Sequence, residues 1–123
     1  MPKLNAIGIV TSDMARSITF YRLVGLDVPE TPEEGHVDTF LPNGVRFMLD
    51  TVRSFRPEWT RETGNQIGLA FECANAAEVD ELYARITAAG FDGEKAPWDA
   101  VWGQRYAQLS DPDGVGVDLY ASL

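Results

Sequence analysis

The sequence repeats its own pattern, and this duplication constrains the fold more than any single motif does. Residues 6–27 align with residues 68–92, and residues 42–49 (PNGVRFML) align with residues 112–119 (PDGVGVDL). The matched positions in the first pair of segments are typical of helix caps, helix faces and turns: Asp13 with Asn75, Tyr21 with Tyr83, and Gly25 with Gly90. We therefore predict two similar modules that follow each other along the chain.

Each half of the sequence is predicted to form a strand, a helix and then three strands. Residues 5–10 are an apolar run rich in isoleucine, which is typical of a buried strand. Ser12 or Asp13 can cap the first helix, and Asn75 with Glu78 three residues later resembles the capping box that starts a helix. The segments LPNG and DPDG predict turns, because their glycines adopt positive φ without strain.

These elements predict an α+β fold that forms one domain over residues 1–123. Module one covers residues 1–52 and module two covers residues 66–123, each with the order β-α-β-β-β. A polar linker, residues 53–65, joins the modules and contains Trp59. It is long for a plain connection, which favours a functional or interface role.

Charge and composition narrow the classes of function. Nineteen acidic residues against ten basic ones give a net charge of −9, which disfavours nucleic acid and favours cationic small molecules, or serves solubility alone. No apolar run approaches the roughly 20 residues of a membrane span, and the first residues lack the features of a signal peptide. Cys73 is the only cysteine, which excludes an internal disulfide. We expect a cytoplasmic protein.

Two segments, AIGIVTSDMARSITFY and WGQRYAQLSDPDGVGVDLY, resemble the vicinal oxygen chelate superfamily of glyoxalases, extradiol dioxygenases, fosfomycin-resistance enzymes and bleomycin-resistance binding proteins. The resemblance covers nearly the whole chain. It implies a curved mixed sheet that bears a cleft, with helices on the outer face. It also implies four metal-ligand positions, a histidine on the first strand and a carboxylate on the last strand of each module.

These four positions hold residues that suit a metal poorly: Ala6, Met48, Gly68 and Asp118. Alanine and glycine offer no donor atom, and a thioether prefers soft metals to Mg²⁺, Mn²⁺, iron or Zn²⁺. We therefore expect no metal and no other cofactor.

Strand alternation predicts which side chains share a face with these positions. That face carries Ala6, Gly8, Arg46, Met48, Asp50, Gly68, Ala70, Glu72, Gly116, Asp118 and Tyr120. The opposite face is wholly apolar, as a face covered by helices requires: Ile7, Ile9, Val45, Phe47, Leu49, Leu69, Phe71, Val115, Val117 and Leu119. Small residues on the first face leave room for a ligand. Alternatively, Asp118 faces water on a solvated strand and binds no ligand.

The predicted ligand-binding residues combine this face with three tryptophans: Arg46, Met48, Asp50, Trp59, Glu72, Trp98, Trp102, Asp118 and Tyr120. Trp98 and Trp102 lie in a predicted loop, APWDAVWGQRY, where indole rings suit a flat or cationic ligand. The alternative for Trp102 is a cap on the core at the end of the sheet.

His36 has no second histidine or cysteine at ligand spacing and is not expected on a ligand-bearing strand. A structural role is favoured over proton transfer.

Two functions are consistent with these features. The first is a metal-independent binding protein of the bleomycin-resistance type, which sequesters an aromatic or cationic natural product in the cleft between modules. The resemblance implies a homodimer in that case. The second is a glyoxalase- or dioxygenase-like enzyme (lyase, isomerase or oxygenase) with an altered active site. In it, Asp118 and His36 carry out acid–base chemistry without a metal, or Asp50, Asp118 and His36 regroup around an ion. A domain that only mediates association is a third alternative.

Overall fold

The computed structural model describes residues 6–51 and 67–123. Its elements are β1 (Ala6–Thr11), α1 (Met14–Leu23), β2 (His36–Phe40), β3 (Arg46–Thr51), β4 (Gly68–Glu72), α2 (Ala76–Ala88), β5 (Gly93–Ala100), β6 (Gln104–Ser110) and β7 (Gly116–Ser122). The chain divides into two compact units after residue 64. Neither helix has the length and apolar character needed to cross a membrane, and the described residues contain no other helix of that kind. Trp59 and the whole of the predicted linker lie outside the described residues.

The first unit contains a mixed sheet of three strands in the order β1-β3-β2, with β1 parallel and β2 antiparallel to β3. Helix α1 packs on one face of it, where the buried rings of Tyr21 and Phe47 lie 4.9 Å apart. The predicted fourth strand of this module is absent from the described residues: the segment between α1 and β2 forms no ladder. This segment contains Pro29 and Pro32, which have no N–H to donate to a neighbouring strand.

The second unit contains a mixed sheet of four strands in the order β4-β7-β6-β5 and so has the predicted β-α-β-β-β arrangement. Strands β4 and β7 are parallel, and the other neighbours are antiparallel. Helix α2 packs on the face that carries Val117 and Leu119, both fully buried. Arg105 of β6 lies on the same face and donates two hydrogen bonds, of 2.8 and 3.2 Å, to Asp80 of α2.

The predicted helix ends are confirmed. Asp13 caps α1, and the Asn75 side chain caps α2 by accepting the Glu78 N–H at 2.9 Å. The Glu78 carboxylate accepts the N–H of the residue just before the cap, at 3.1 Å, so that both arms of the capping motif form. Each helix is followed by a glycine with positive φ, Gly25 at 103° and Gly90 at 92°.

The two turns that align in the sequence also share their hydrogen bonds. In the first turn the Leu41 N–H donates to the Val45 carbonyl at 2.8 Å, and the Leu41 carbonyl accepts the N–H of the turn glycine at 2.9 Å. The second turn repeats both bonds from Asp111, at 2.9 and 3.0 Å. The alignment of residues 42–49 with residues 112–119 is thus confirmed at the level of backbone geometry.

Candidate functional site

One face of the four-stranded sheet, opposite α2, carries aromatic and acidic side chains. Three cross-strand pairs place one residue of each strand in a single row: Trp98 of β5, Tyr106 of β6, Tyr120 of β7 and Glu72 of β4. Asp118 lies on the same face of β7, two residues before Tyr120, as strand alternation predicts. We call the set Trp98, Trp102, Tyr106, Asp118 and Tyr120 the aromatic–acidic face.

The rings of this face contact one another directly. The ring centroids of Trp98 and Trp102 each lie 5.4 Å from that of Tyr106, at interplanar angles of 67° and 81°. The two indoles lie 6.1 Å apart at 88°. Tyr120 stacks on the other side of Tyr106, with 6.3 Å between centroids and 27° between planes. Edge-to-face and offset stacked pairs of this kind stabilise one another beyond the area they bury.

The structure corrects the expectations for the two tryptophans. Trp98 lies on β5 and not in a loop, because the predicted loop APWDAVWGQRY forms parts of β5 and β6 with a turn at residues 101–103. Trp102 occupies that turn, is 58% exposed and donates its indole N–H to Gln104 at 3.0 Å. It therefore does not cap the core, and its ring is accessible to a ligand.

Asp118 is held in place by Tyr106. The phenol donates a short hydrogen bond to Oδ2 of the carboxylate, across the β6–β7 pairing. This bond, with a smaller effect of burial, raises the pKa of Tyr106 to about 12, so the phenol remains a protonated donor. One carboxylate oxygen of Asp118 is thus fixed by the protein. Asp118 is half-buried, which differs from a carboxylate on a fully solvated strand.

Sequence reasoning missed Tyr106, although a signal for it was present. In the strand QRYAQLS, buried Ala107 and Leu109 alternate with Tyr106 and Gln108. Alternation assigns these last two residues to the face opposite the core, together with Asp118. Strand β6 is neither the first nor the last strand of its module, so it carries none of the ligand positions that the resemblance implies.

In the first unit, the face opposite α1 carries a network of charged side chains. His36 lies directly opposite Asp50 in the β2–β3 pairing, and its Nδ1 is 2.6 Å from Oδ1 of that carboxylate. Its Nε2 is 3.3 Å from Oδ2 of Asp38, which also lies 3.7 Å from the Arg46 guanidinium. His36 is on β2, which is not a ligand-bearing strand, as expected, but sequence analysis missed its pairing with Asp50 on the neighbouring β3.

This network makes the protein's stability depend on pH. The hydrogen bond to Asp50 raises the pKa of His36 above its ordinary 6.5; burial opposes the rise, and the bond to Asp38 adds to it. A raised folded-state pKa means that protonated His36 stabilises the fold fully below about pH 6.5, and that this contribution is lost as the pH rises through the folded-state pKa. We expect the free energy of unfolding, measured in urea, to fall as the pH rises from about 6.5 through the folded-state pKa of His36. This fall should be larger in the wild type than in His36→Gln.

Because His36 is the only histidine, its imidazole signals in a nuclear magnetic resonance titration report its pKa directly. Asp50→Asn is the matched test, since the amide keeps a hydrogen bond but removes the charge. We expect the His36 pKa to drop in this variant. A native pKa at or below 6.5 in the wild type would contradict the prediction.

The remaining predicted residues are divided between the two units. Met48 lies on β3 between Gly8 of β1 and Asp38 of β2 in the strand register. The Asp50 side chain is only 12% exposed and is engaged by His36, and Arg46 is paired with Asp38. Glu72 is exposed at the end of β4.

The four positions that the resemblance assigns to metal ligands do not fit a hard divalent metal. Ala6 and Gly68 have no donor atom, and the Met48 thioether is a soft ligand. Asp118 is the one hard ligand among them, and one of its oxygens accepts the Tyr106 hydroxyl. Within residues 6–51 and 67–123, no three His, Cys, Asp or Glu side chains are grouped to hold a metal ion.

Comparisons with known proteins agree with this fold. The family model for the Glyoxalase/Bleomycin resistance protein/Dioxygenase superfamily matches residues 3–119. A glyoxalase/bleomycin resistance protein/dioxygenase family enzyme from Burkholderia phytofirmans PsJN is similar in structure. The TM-score is 0.81, with 21% identity over 99% of this chain and 100% of that chain. A glyoxalase/bleomycin resistance protein/dioxygenase from Nocardioides has a TM-score of 0.73 and 25% identity over 100% of this chain and 85% of its own.

Protein ATC0852 from Agrobacterium tumefaciens is also similar, with a TM-score of 0.77 and 25% identity over 100% of this chain and 99% of that chain. A comparison with curated protein sequences gave no significant match. The family match covers most of the chain and agrees with the doubled pattern of strands and helices. The chain therefore belongs to the glyoxalase/bleomycin resistance protein/dioxygenase superfamily, also known as the vicinal oxygen chelate superfamily.

Proposed function

We propose that the protein binds a flat aromatic or cationic small molecule on the aromatic–acidic face, without a metal ion. The observation that carries this proposal is the row of rings Trp98, Tyr106 and Tyr120 on three adjacent strands, with Asp118 beside it. Planar rings attract planar or cationic groups by stacking and cation–π interaction. A carboxylate next to them adds a strong acceptor for a ligand N–H or ammonium.

Small residues leave space beside this row of rings, next to Asp118. Ala70 and Gly116, which flank Asp118 on the same face, carry almost no side chain, and both are exposed. The helix side of the same sheet is closely packed by apolar residues, so the open face is the one with room for a ligand. The net charge of −9 attracts cations from solution and favours a cationic ligand over an anionic one.

The residues at the four ligand positions support a binding mode that does not depend on a metal. They support a function like that of the binding proteins of the bleomycin-resistance type, which sequester a compound. We propose that the protein is a cytoplasmic homodimer and that the compound it sequesters is an antibiotic-like aromatic molecule.

The proposal is tested by titrating the protein with bleomycin, mitomycin C and ethidium while tryptophan fluorescence and calorimetric heat are recorded. We expect at least one compound to bind and to quench the fluorescence. Trp98→Leu should weaken this binding about tenfold, because it removes the stacking and cation–π contact of one ring. Its thermal unfolding should remain a single cooperative transition, at a lower temperature than in the wild type because ring contacts are lost, which separates lost contact from lost fold.

Absence of heat and quenching with every compound would contradict the proposal, as would equal affinities for the wild type and Trp98→Leu. Elemental analysis of the untagged protein is the second readout. A divalent metal at one equivalent per chain would contradict the metal-independent part of the proposal.

A second candidate function is acid–base catalysis by a lyase or isomerase, which the His36–Asp50 contact of 2.6 Å favours. Both imidazole nitrogens lie near carboxylates, and this stabilises the protonated ring, so His36 suits a general acid better than a base. Chromatography of the titrated compounds distinguishes the two functions. Conversion of a bound compound that is lost in His36→Gln would favour the enzyme, and recovery of the unchanged compound would favour binding.

A further inference from the structure

Lys95 places its ammonium group directly on the aromatic–acidic face. Its Nζ lies 3.8 Å from the ring centroid of Trp98, well within the range of a cation–π contact. None of the ion pairs among the described residues involves Lys95. Within that part of the chain, the π face of Trp98 is the electron-rich group that receives this cation.

An irregularity in strand β5 brings the two side chains together. Lys95 and Trp98 are three residues apart, so in a regular strand they would point to opposite faces of the sheet. The pairing of β5 with β6 shifts register on both sides of Lys95, first between Gly93 and Lys95 and again between Lys95 and Trp98. Such bulges redirect side chains and are common beside functional sites. The bulge thus brings the Lys95 ammonium to the aromatic–acidic face, whereas a regular strand would point it to the opposite face.

The rings around Trp98 have an arrangement that suits a cation. Trp98, Trp102 and Tyr106 stand at 67° to 88° to one another with centroids 5.4 to 6.1 Å apart. Rings set nearly at right angles present their π faces in different directions, and the π face of an indole attracts organic cations. The carboxylate of Asp118, bonded to the Tyr106 hydroxyl, adds negative charge at the edge of this cluster.

We propose that the π face of Trp98 is a subsite for an organic cation, an alkylammonium or a cationic heteroaromatic ring, and that Lys95 occupies it in the unliganded protein. A ligand cation displaces the Lys95 ammonium into solvent, which the exposure of Lys95 permits. Lys95 therefore competes with the ligand for the π face of Trp98 and lowers the affinity of this subsite for organic cations. This inference rests on the proposed function for the identity of the binding face, and it adds the charge class of the ligand.

The test compares N-methylacridinium with acridine at a mildly alkaline pH, where acridine is neutral and the two ring systems are otherwise alike. Binding is measured by calorimetry for the wild type and for Lys95→Met. We expect the wild type to prefer the cation, and Lys95→Met to bind it about fivefold more tightly, because the competing ammonium is gone. The affinity for acridine should change less than about twofold.

Arg85→Met is the matched control, because it removes the same charge from exposed Arg85 on α2, on the other side of the sheet. An equal gain in Arg85→Met and Lys95→Met would assign the effect to net charge and would overturn the subsite. Unchanged or weaker binding of N-methylacridinium by Lys95→Met would overturn it as well. In both of these outcomes the acridines still bind, so the proposed function would stand.

Tetramethylammonium tests the subsite without any aromatic ligand. We expect it to shift the Trp98 indole N–H signal in the nuclear magnetic resonance spectrum at lower concentration in Lys95→Met than in the wild type, at constant ionic strength. If this shift occurs while neither acridine and none of the three titrated compounds binds, the subsite stands and the proposed binding of flat aromatic compounds fails. If Trp98 does not respond to tetramethylammonium in either protein, the subsite is overturned.

Discussion

Replacing Asp118 with asparagine is expected to weaken the binding of a cationic aromatic ligand about tenfold to a hundredfold. The reason is that a hydrogen bond to a charged group contributes about 1.5–3 kcal/mol, and this bond is lost when the amide presents its NH2 donor to the ligand. The asparagine side chain can still accept the Tyr106 hydroxyl, so the row of rings should keep its geometry. Calorimetry with the tightest ligand from the titration measures the change.

Glu81→Gln provides the control for Asp118→Asn. Glu81 is exposed on α2, and its replacement makes the same change in net charge on the other side of the sheet. We expect less than a twofold change, since exposed charges at this distance are largely screened by salt. Equal losses in the two variants would indicate a field effect instead of a contact. An unchanged affinity in Asp118→Asn would remove Asp118 from the binding site.

Tyr106→Phe separates the position of Asp118 from its charge. This variant keeps the carboxylate and the ring but removes the hydroxyl that holds Oδ2. We expect a smaller loss of affinity than in Asp118→Asn, roughly threefold to tenfold, because a free carboxylate must be ordered when the ligand binds. Tyr83→Phe on α2 makes the same chemical change away from the aromatic–acidic face and should leave affinity unchanged.

Replacing Asp111 with alanine is expected to lower the free energy of unfolding by about 2–4 kcal/mol. Its Oδ1 accepts the backbone N–H groups of Asp113 and Val115, both at 2.8 Å, within a turn where Asp111 is only 2% exposed. Removal of the carboxylate leaves two buried donors without this acceptor, and each costs about 1–3 kcal/mol. Urea denaturation followed by circular dichroism measures the loss.

Two variants bracket the Asp111→Ala result. Asp111→Asn keeps an oxygen acceptor at the same place and should retain most of the stability. Asn43→Ala acts in the equivalent turn of the first unit, where the Asn43 side chain accepts one exposed N–H, that of Val45, at 3.0 Å. We expect a loss of about 1 kcal/mol or less there. Equal losses in Asp111→Ala and Asn43→Ala would show that burial of the second turn is not what matters.

The sequence by itself predicted the features that depend on local chemistry. Capping side chains and turn glycines act within a few residues, so Asp13, Asn75 and the two aligned turns could be assigned before any tertiary structure was known. Strand alternation is equally local, and it placed Asp118 and Tyr120 together on the face opposite the buried Val117 and Leu119. The same rule, applied to β6, would have added Tyr106.

Other features were decided only by the tertiary structure, because they depend on which strands pair and in what register. The antiparallel pairing of β2 with β3 brings His36 to Asp50, fourteen residues away along the chain. The shifted register of β5 on β6 turns Lys95 onto Trp98, although residues three apart point to opposite faces in a regular strand. A strand sequence specifies which side chains share a face, but the partners across the sheet are set by hydrogen-bond register and by bulges, and these are settled only when the whole sheet forms.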